Sequence, residues 1–316
     1  MCSPKLKDNS MSKIIDFHSH YIPSEIAKYT SFYKVGWSDL DKQLKAMDEN
    51  GIEKTLLLYP TSDAQDNMPR GDPQLVNIYN DKIIEITKKY PDRFIGAGIL
   101  PILIPEGNII RILKKLQDAG INCLSMASSY YGRFLEYEAF DYILSFLNDN
   151  EFIIHVHSQT SDPIGEDRVK DPLLSPVLEY VFDVSMCIGR LMMEGTFDKY
   201  DKIKWIFAHY GGVLPFVKDR FDSIYSMLRS RNFVKDLGQL PTEFFNKLYF
   251  DTSGSQSIAN LLCALEMVSP EQILFGSDYP ANKNIKESIN AVNDAPIDES
   301  KKKIILSNNP FERLQQ

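Results

Sequence analysis

"KIIDFHSHYIP" occupies residues 13–23, an apolar run that breaks into two histidines one residue apart. The chain has five histidines, His18, His20, His155, His157 and His209, and four of them stand in two His-x-His pairs. Residues two apart on a strand point to one side, so each pair can aim both rings into the same space. What that space is depends on the strands around it. Seven more short, nearly continuous apolar runs follow: "KTLLLYP" from Lys54, "RFIGAGIL" from Arg93, "INCLSM" from Ile121, "FIIHVH" from Phe152, "IKWIFAH" from Ile203, "KLYFDT" from Lys247 and "QILFGSD" from Gln272. Such runs read as parallel strands covered on both faces.

Helix signals lie between the runs. Ser38 and Asp41 have N-cap and N3 spacing before "LDKQLKAMDEN", and Gly51 stops that helix. Asp72-Pro73 opens "PQLVNIYNDKIIEITKKY" with proline at the first helical position. "EGNIIRILKKLQDAG" ends on Gly120, and "SPVLEYVFDVSMCIGRLMMEG" runs from Ser175-Pro176 to Gly195. Helix-linked parallel strands in this number predict an α/β fold, a (β/α)8 TIM barrel of the metal-dependent hydrolase type, as one domain over 12–316. A doubly wound sheet competes, but it would carry a glycine-rich phosphate loop after its first strand, where "HSHYIP" stands here. Two long connections, 65–70 and 159–171, follow strand C-terminal ends, the usual place of barrel active-site loops.

Composition narrows the function. The chain has 316 residues, 43% hydrophobic and 25% charged, with a formal net charge of −8. No Lys/Arg block or basic stripe supports nucleic-acid binding. No apolar run approaches the ~20 residues that span a bilayer, so no membrane partner is expected. Residues 1–11, "MCSPKLKDNSM", read as a flexible polar leader without the apolar core of a signal peptide. The four cysteines, Cys2, Cys123, Cys187 and Cys263, are widely spaced, which predicts reduced thiols in a cytoplasmic protein.

The polar residues then fall at strand ends. The first strand ends in His18-Ser19-His20, the fifth in His155-Val156-His157, the sixth in His209, the seventh in Asp251 and the eighth in Asp278. In a barrel these ends converge on one face. Three imidazoles and a carboxylate form a site for a divalent cation such as zinc, with room left for water. Asp278, after an apolar strand, is costly to bury unpaired, so it reads as a ligand or a general acid/base. Asp251 reads as a carboxylate orienting a ligand, and Asp16 as a strand-end carboxylate. His209, opening "HYGGVLPF", reads as catalytic. The absence of GxSxG, P-loop and HExxH motifs removes serine-hydrolase, NTPase and zincin chemistry.

"IDFHSHYIP", "IKWIFAHYGGVLPFVKDR", "KLYFDTSGS" and "ILFGSDYP", in this order, resemble the decarboxylase branch of the amidohydrolase superfamily. That branch includes 2-amino-3-carboxymuconate-6-semialdehyde, resorcylate and 6-methylsalicylate decarboxylases. The likeness extends through "LKAMDENGIEKTLLL" and "KKYPDRFIGAGILP" to "LSNNPFERL". It implies metal ligation by His18, His20, Asp278 and a strand-five histidine, with His209 as the catalytic histidine. The family's strand-five motif is usually one histidine followed by proline; here it is "HVHS". His157 is favoured because it lies nearer the strand's C-terminal end, and His155 is the alternative. Arg220 matches an arginine that binds a substrate carboxylate, a job suited to a guanidinium fork. "INCLSM" lacks the lysine that bridges two metals in binuclear relatives, which implies one ion, zinc first and manganese as the alternative. The resemblance also implies a homodimer and non-oxidative decarboxylation of a small aromatic or muconate-type carboxylic acid. Metal-dependent hydrolysis of an amide or lactone, and a binding barrel without turnover, are the rival readings.

Overall fold

The computed structural model describes residues 14–27, 36–60, 73–102, 105–165, 171, 173–309 and 311. The expected leader and the 65–70 connection lie outside these residues, as does 166–170 of the second connection. Eight parallel strands follow one another: β1 (Ile14–His20), β2 (Ile52–Leu58), β3 (Phe94–Gly96), β4 (Cys123–Ala127), β5 (Ile153–His157), β6 (Lys204–Phe207), β7 (Leu248–Asp251) and β8 (Ile273–Leu274). They correspond one to one with the apolar runs of the sequence.

The ladders form two sheets, β1-β2-β3 and β8-β7-β6-β5-β4. Short hydrogen-bonded seams join the sheets at both edges. At one seam Gly98 N donates to Cys123 O at 2.9 Å and Ser125 N to Gly98 O at 2.8 Å. At the other, Phe17 N donates to Phe275 O at 2.7 Å, Asp278 N to His18 O at 2.8 Å and His20 N to Tyr279 O at 2.7 Å. The fold is a (β/α)8 barrel.

Helices cover the outside: α1 (Leu40–Glu49), α2 (Pro73–Lys89), α3 (Glu106–Asp118), α4 (Asp141–Asp149), α5 (Tyr180–Met193), α6 (Leu214–Ser230), α7 (Ile258–Leu265), α8 (Ile285–Asn293) and α9 (Glu299–Ser307). The cap of α1 corrects the sequence expectation. Asp39, not Ser38, is the N-cap, and its side chain accepts from Lys42 N; a carboxylate there also meets the helix dipole favourably. Before α5, Ser175–Glu179 form a wider, π-type turn. A hairpin pairing Ser129–Tyr130 with Arg133–Phe134 was not foreseen in the sequence.

Two apolar clusters separate cleanly. Phe17, Leu56, Ile95, Cys123, Ile153, Ile206 and Leu274 fill the barrel interior, while a larger cluster packs the strands against the helices. Along β5, Ile153 belongs to the interior floor, so His155 and His157, at i+2 and i+4, face the same interior nearer the mouth. In β1 the pairing with β2 shifts register between Asp16 and Ser19. Such a bulge re-aims side chains, and here both Phe17 and the His18/His20 pair serve the interior.

Candidate active site

Asp251, the last residue of β7, is fully buried and is the hub of the mouth. Its Oδ2 accepts from His18 Nδ1 at 2.8 Å and His155 Nε2 at 2.9 Å. Its Oδ1 accepts from His209 N at 3.1 Å, Ser253 N at 3.0 Å and the Ser253 hydroxyl. Burial alone would raise this carboxyl, but His18 and His155 outweigh burial and hold it well below the usual carboxylate range. An ionised Asp251 can only accept. His18 therefore carries its proton on Nδ1 and keeps Nε2 free, whereas His155 spends Nε2 on the hub.

Ring nitrogens and a carboxylate oxygen converge. His18 Nε2 lies 3.1 Å from His20 Nε2. Asp278 Oδ1 lies 3.0 Å from His20 Nε2 and 3.5 Å from His18 Nε2. His157 Nδ1 donates to its neighbour's carbonyl, Ser158 O, at 3.0 Å, which leaves its own Nε2 unprotonated. The His157 ring packs 5.3 Å from His18 and 5.2 Å from His20, centroid to centroid. Ligand atoms of His18, His20 and His157 all fall within 4.8 Å of one another.

Burial lowers the basicity of His18, His155 and His157. His18 is pushed down to about 4, mainly by desolvation, against the pull of Asp251. Burial also lowers His155, and burial with the neighbouring imidazoles holds His157 well below its ordinary value. For Asp278 burial would raise the carboxyl, yet the hydrogen bond and charge of the histidines leave it lowered. His18 and His157 thus stand as neutral imidazoles beside an anionic carboxylate, the protonation states a cation needs.

Local backbone geometry supports this focus. His209 and Tyr210 both have φ 57°, and Asp278 has φ 61°, sparsely populated conformations for residues with side chains. A Cβ on Gly254 would stand 2.7 Å from His209 Nδ1, and one on Gly276 would stand 2.8 Å from His18 Cβ. Glycine at both positions lets the histidines sit where they do. His209 is the one histidine of the five that is only partly buried; its ring lies 5.4 Å from His18 and 5.3 Å from His157. Trp37 stacks on His20 with centroids 5.6 Å apart and an interplanar angle of 15°.

A family model described as amidohydrolase matches residues 15–312. This chain belongs to the amidohydrolase family. Among curated amidohydrolase relatives, a gamma-resorcylate decarboxylase of Polaromonas sp. is 28% identical over 280 residues, covering 84% of each chain. The solved 5-carboxyvanillate decarboxylase from Sphingomonas paucimobilis superposes with a TM-score of 0.85 at 20% identity, over 96% of this chain and 98% of its own. A dihydroxybenzoic acid decarboxylase from Polaromonas sp., solved with bound manganese and the inhibitor 2-nitroresorcinol, gives 0.80 at 22% identity, over 96% and 97%.

The amidohydrolase barrel brings His18, His20, His155, His157, His209, Asp251 and Asp278 to one mouth. Arg220 is different. It is exposed on α6 and lines an outer groove with Val217, Phe221 and Ile224; among the described residues no contact joins it to the histidines. Asp16 does more than end a strand. It is buried and accepts from His18 N at 3.0 Å, Ser277 N at 2.9 Å and Ser277 Oγ at 2.6 Å, latching β1 to the segment that carries Asp278. Ser253 and Trp37 join the site without a motif that marks them. The hydroxyl in "DTS", two residues after Asp251, is the signal available for Ser253; Trp37 offers none.

Proposed function

We propose that this amidohydrolase is a non-oxidative decarboxylase of a small aromatic carboxylic acid, working with one divalent metal ion. The observation that carries the reading is the convergence of His18 Nε2, His20 Nε2 and Asp278 Oδ1 within 3.5 Å of one another. His18 Nε2 is unprotonated, and His20 Nε2 and Asp278 Oδ1 crowd the same point, a donor set that a cation would hold together. Spacings near 3 Å suit neighbouring ligands of an ion held at ~2.1 Å. His18, His20, His157 and Asp278 would hold it; His155, already committed to Asp251, would support. The ion supplies a positive charge that orients an acidic substrate and polarises its oxygen atoms.

The rest falls to the chain. As the bond to the carboxylate breaks, the electron pair stays on the ring carbon, a proton joins that carbon and CO2 leaves. His209, the partly exposed imidazole, holds and delivers that proton, and Asp278, 17% exposed at the same mouth, shares in moving it. Trp37 gives the site an aromatic wall beside His20. Arg220 stands on the outer groove of α6, so the carboxylate-binding role that the resemblance gives it is left to kinetics: a raised KM with unchanged metal content in Arg220→Ala would support that role, and an unchanged KM would remove it.

The manganese of the Polaromonas structure supports manganese as the first ion to test, with zinc second. No helix among the described residues is long and apolar enough to cross a membrane. The free, buried Cys123 and Cys187 fit a reducing, cytoplasmic setting. Exposed Phe182, Met186 and Phe216 on α5 and α6 favour a homodimer through that face. The test is elemental analysis followed by CO2 release from hydroxylated benzoic acids and muconate-type acids, beside lactones and amides. Metal-dependent CO2 release is expected. Hydrolysis without CO2 would turn the assignment to a hydrolase, and turnover without metal would contradict it.

A further inference from the structure

The His209 ring has one side-chain hydrogen-bond partner among the described residues. Ser253 Oγ lies 2.8 Å from its Nδ1, and Gly254 packs so closely against that nitrogen that a Cβ there would intrude. Ser253 is 2% exposed, so its hydroxyl has no recourse to bulk water. The same hydroxyl contacts Asp251 Oδ1 closely. A hydroxyl has one proton to donate. Asp251, accepting from four other donors, is ionised and can only accept, so the Ser253 proton goes to Asp251. The Ser253 oxygen must then receive a proton from His209, which places that proton on Nδ1.

We propose that Ser253 is a positioning residue that fixes the tautomer of His209, coupling Asp251 to Nδ1 so that Nε2 faces the mouth as the nitrogen that carries the mobile proton. The consequence for the site is directional. His209 starts with Nε2 empty, takes up a solvent proton there and delivers it to the ring carbon as CO2 leaves; the imidazolium between those steps is steadied through Nδ1–H, Ser253 and Asp251. One carboxylate thus sets two rings at once: Oδ2 orients His18 toward the proposed metal position, and Oδ1, through Ser253, sets His209. The second half rests on the proposed catalytic use of His209; the tautomer itself does not.

The test separates the two. The full-length chain, labelled with 15N-histidine and loaded with diamagnetic zinc, is read by long-range 1H–15N correlation at a pH where His209 is neutral. Signals are assigned by their loss in His209→Gln. The expected result is a protonated, pyrrole-type Nδ1 and a pyridine-type Nε2 for His209. In Ser253→Ala that pattern should give way to a mixture or to the opposite tautomer, while Ser253→Thr, which keeps the hydroxyl, restores it. On the substrate found active, Ser253→Ala should lower kcat about 10- to 100-fold with KM and metal content unchanged. A pyridine-type Nδ1 in the wild type, or an unchanged tautomer in Ser253→Ala, overturns the inference whatever the activity. A shifted tautomer with wild-type kcat overturns its role in the reaction. The expected tautomers with no CO2 release from any acid contradict the decarboxylase reading and leave the Ser253 assignment standing.

Discussion

The two His-x-His pairs look interchangeable in the sequence and are not so in the structure. On β1 both rings turn their Nε2 atoms to one point, 3.1 Å apart. On β5 only His157 faces that point; His155 Nε2 is bound to Asp251, and its Nδ1 is buried with no hydrogen-bond partner. Depth makes the difference. His155 sits one layer further into the barrel, beside the strand-seven carboxylate, whereas His157 ends its strand at the mouth. Spacing gives two rings a common side, and the neighbour across the barrel decides what each ring does.

Removing the β1 pair should have the largest effect. His18→Ala/His20→Ala should leave no bound metal by elemental analysis and reduce turnover at least ~10³-fold, about 4 kcal/mol of lost transition-state stabilisation. Survival of activity in that variant would break the comparison, since neither pair would then be needed.

Acid should reveal the next effect in metal-free protein. His18 falls from 6.5 to about 4 on folding because burial disfavours its charged form. The unfolded chain therefore binds more protons between those values, so stability present above pH 6.5 is lost as pH falls toward 4. Burial acts in the same direction on His155 and His157. Asp16 opposes them: burial raises it to about 6, so its contribution grows as pH falls. His155 and His157 add to the loss from His18, so a net loss of stability is expected between urea melts at pH 7 and pH 4.5. A stability that rises on acidification would contradict neutral, buried rings.

Asp251→Asn should come next, because it unsettles one ring of each pair. An amide cannot accept from all five donors, so His18 loses its fixed tautomer; metal affinity should fall about 10- to 100-fold, measured by competition with a chelator. The smallest effect belongs to the loop that follows β5. Ser128 Oγ donates to buried Asp183 and accepts from Gln159 N at 2.9 Å, tying that loop beside His157. Ser128→Ala should cost about 1 kcal/mol of stability and leave the β1 pair unaffected.

Much of this is legible in the amino-acid sequence. Parallel strands buried on both faces leave continuous apolar runs, so all eight barrel strands could be read, and a strand-end rule brought every histidine to one mouth. Less legible was anything set by residues distant in sequence. Asp251 serves partners 233, 96 and 42 positions away, and nothing near "FDTSG" announces them. Asp16 reads as an ordinary strand-end acid until Ser277 arrives across the β8–β1 seam. The α1 cap moved from Ser38 to Asp39 because adjacent capping residues differ only in backbone angles. Arg220 carried a family-like motif, but a helix motif does not say which face of the barrel its side chain meets.

The central claim is that the pairs divide their labour, with His157 joining His18, His20 and Asp278 around one ion while His155 stands behind them. Metal content of purified His157→Gln and His155→Gln, measured beside the wild type, tests it most directly. One ion per chain in the wild type and in His155→Gln, with none retained in His157→Gln, is the predicted result. Retention by His157→Gln and loss from His155→Gln would contradict it.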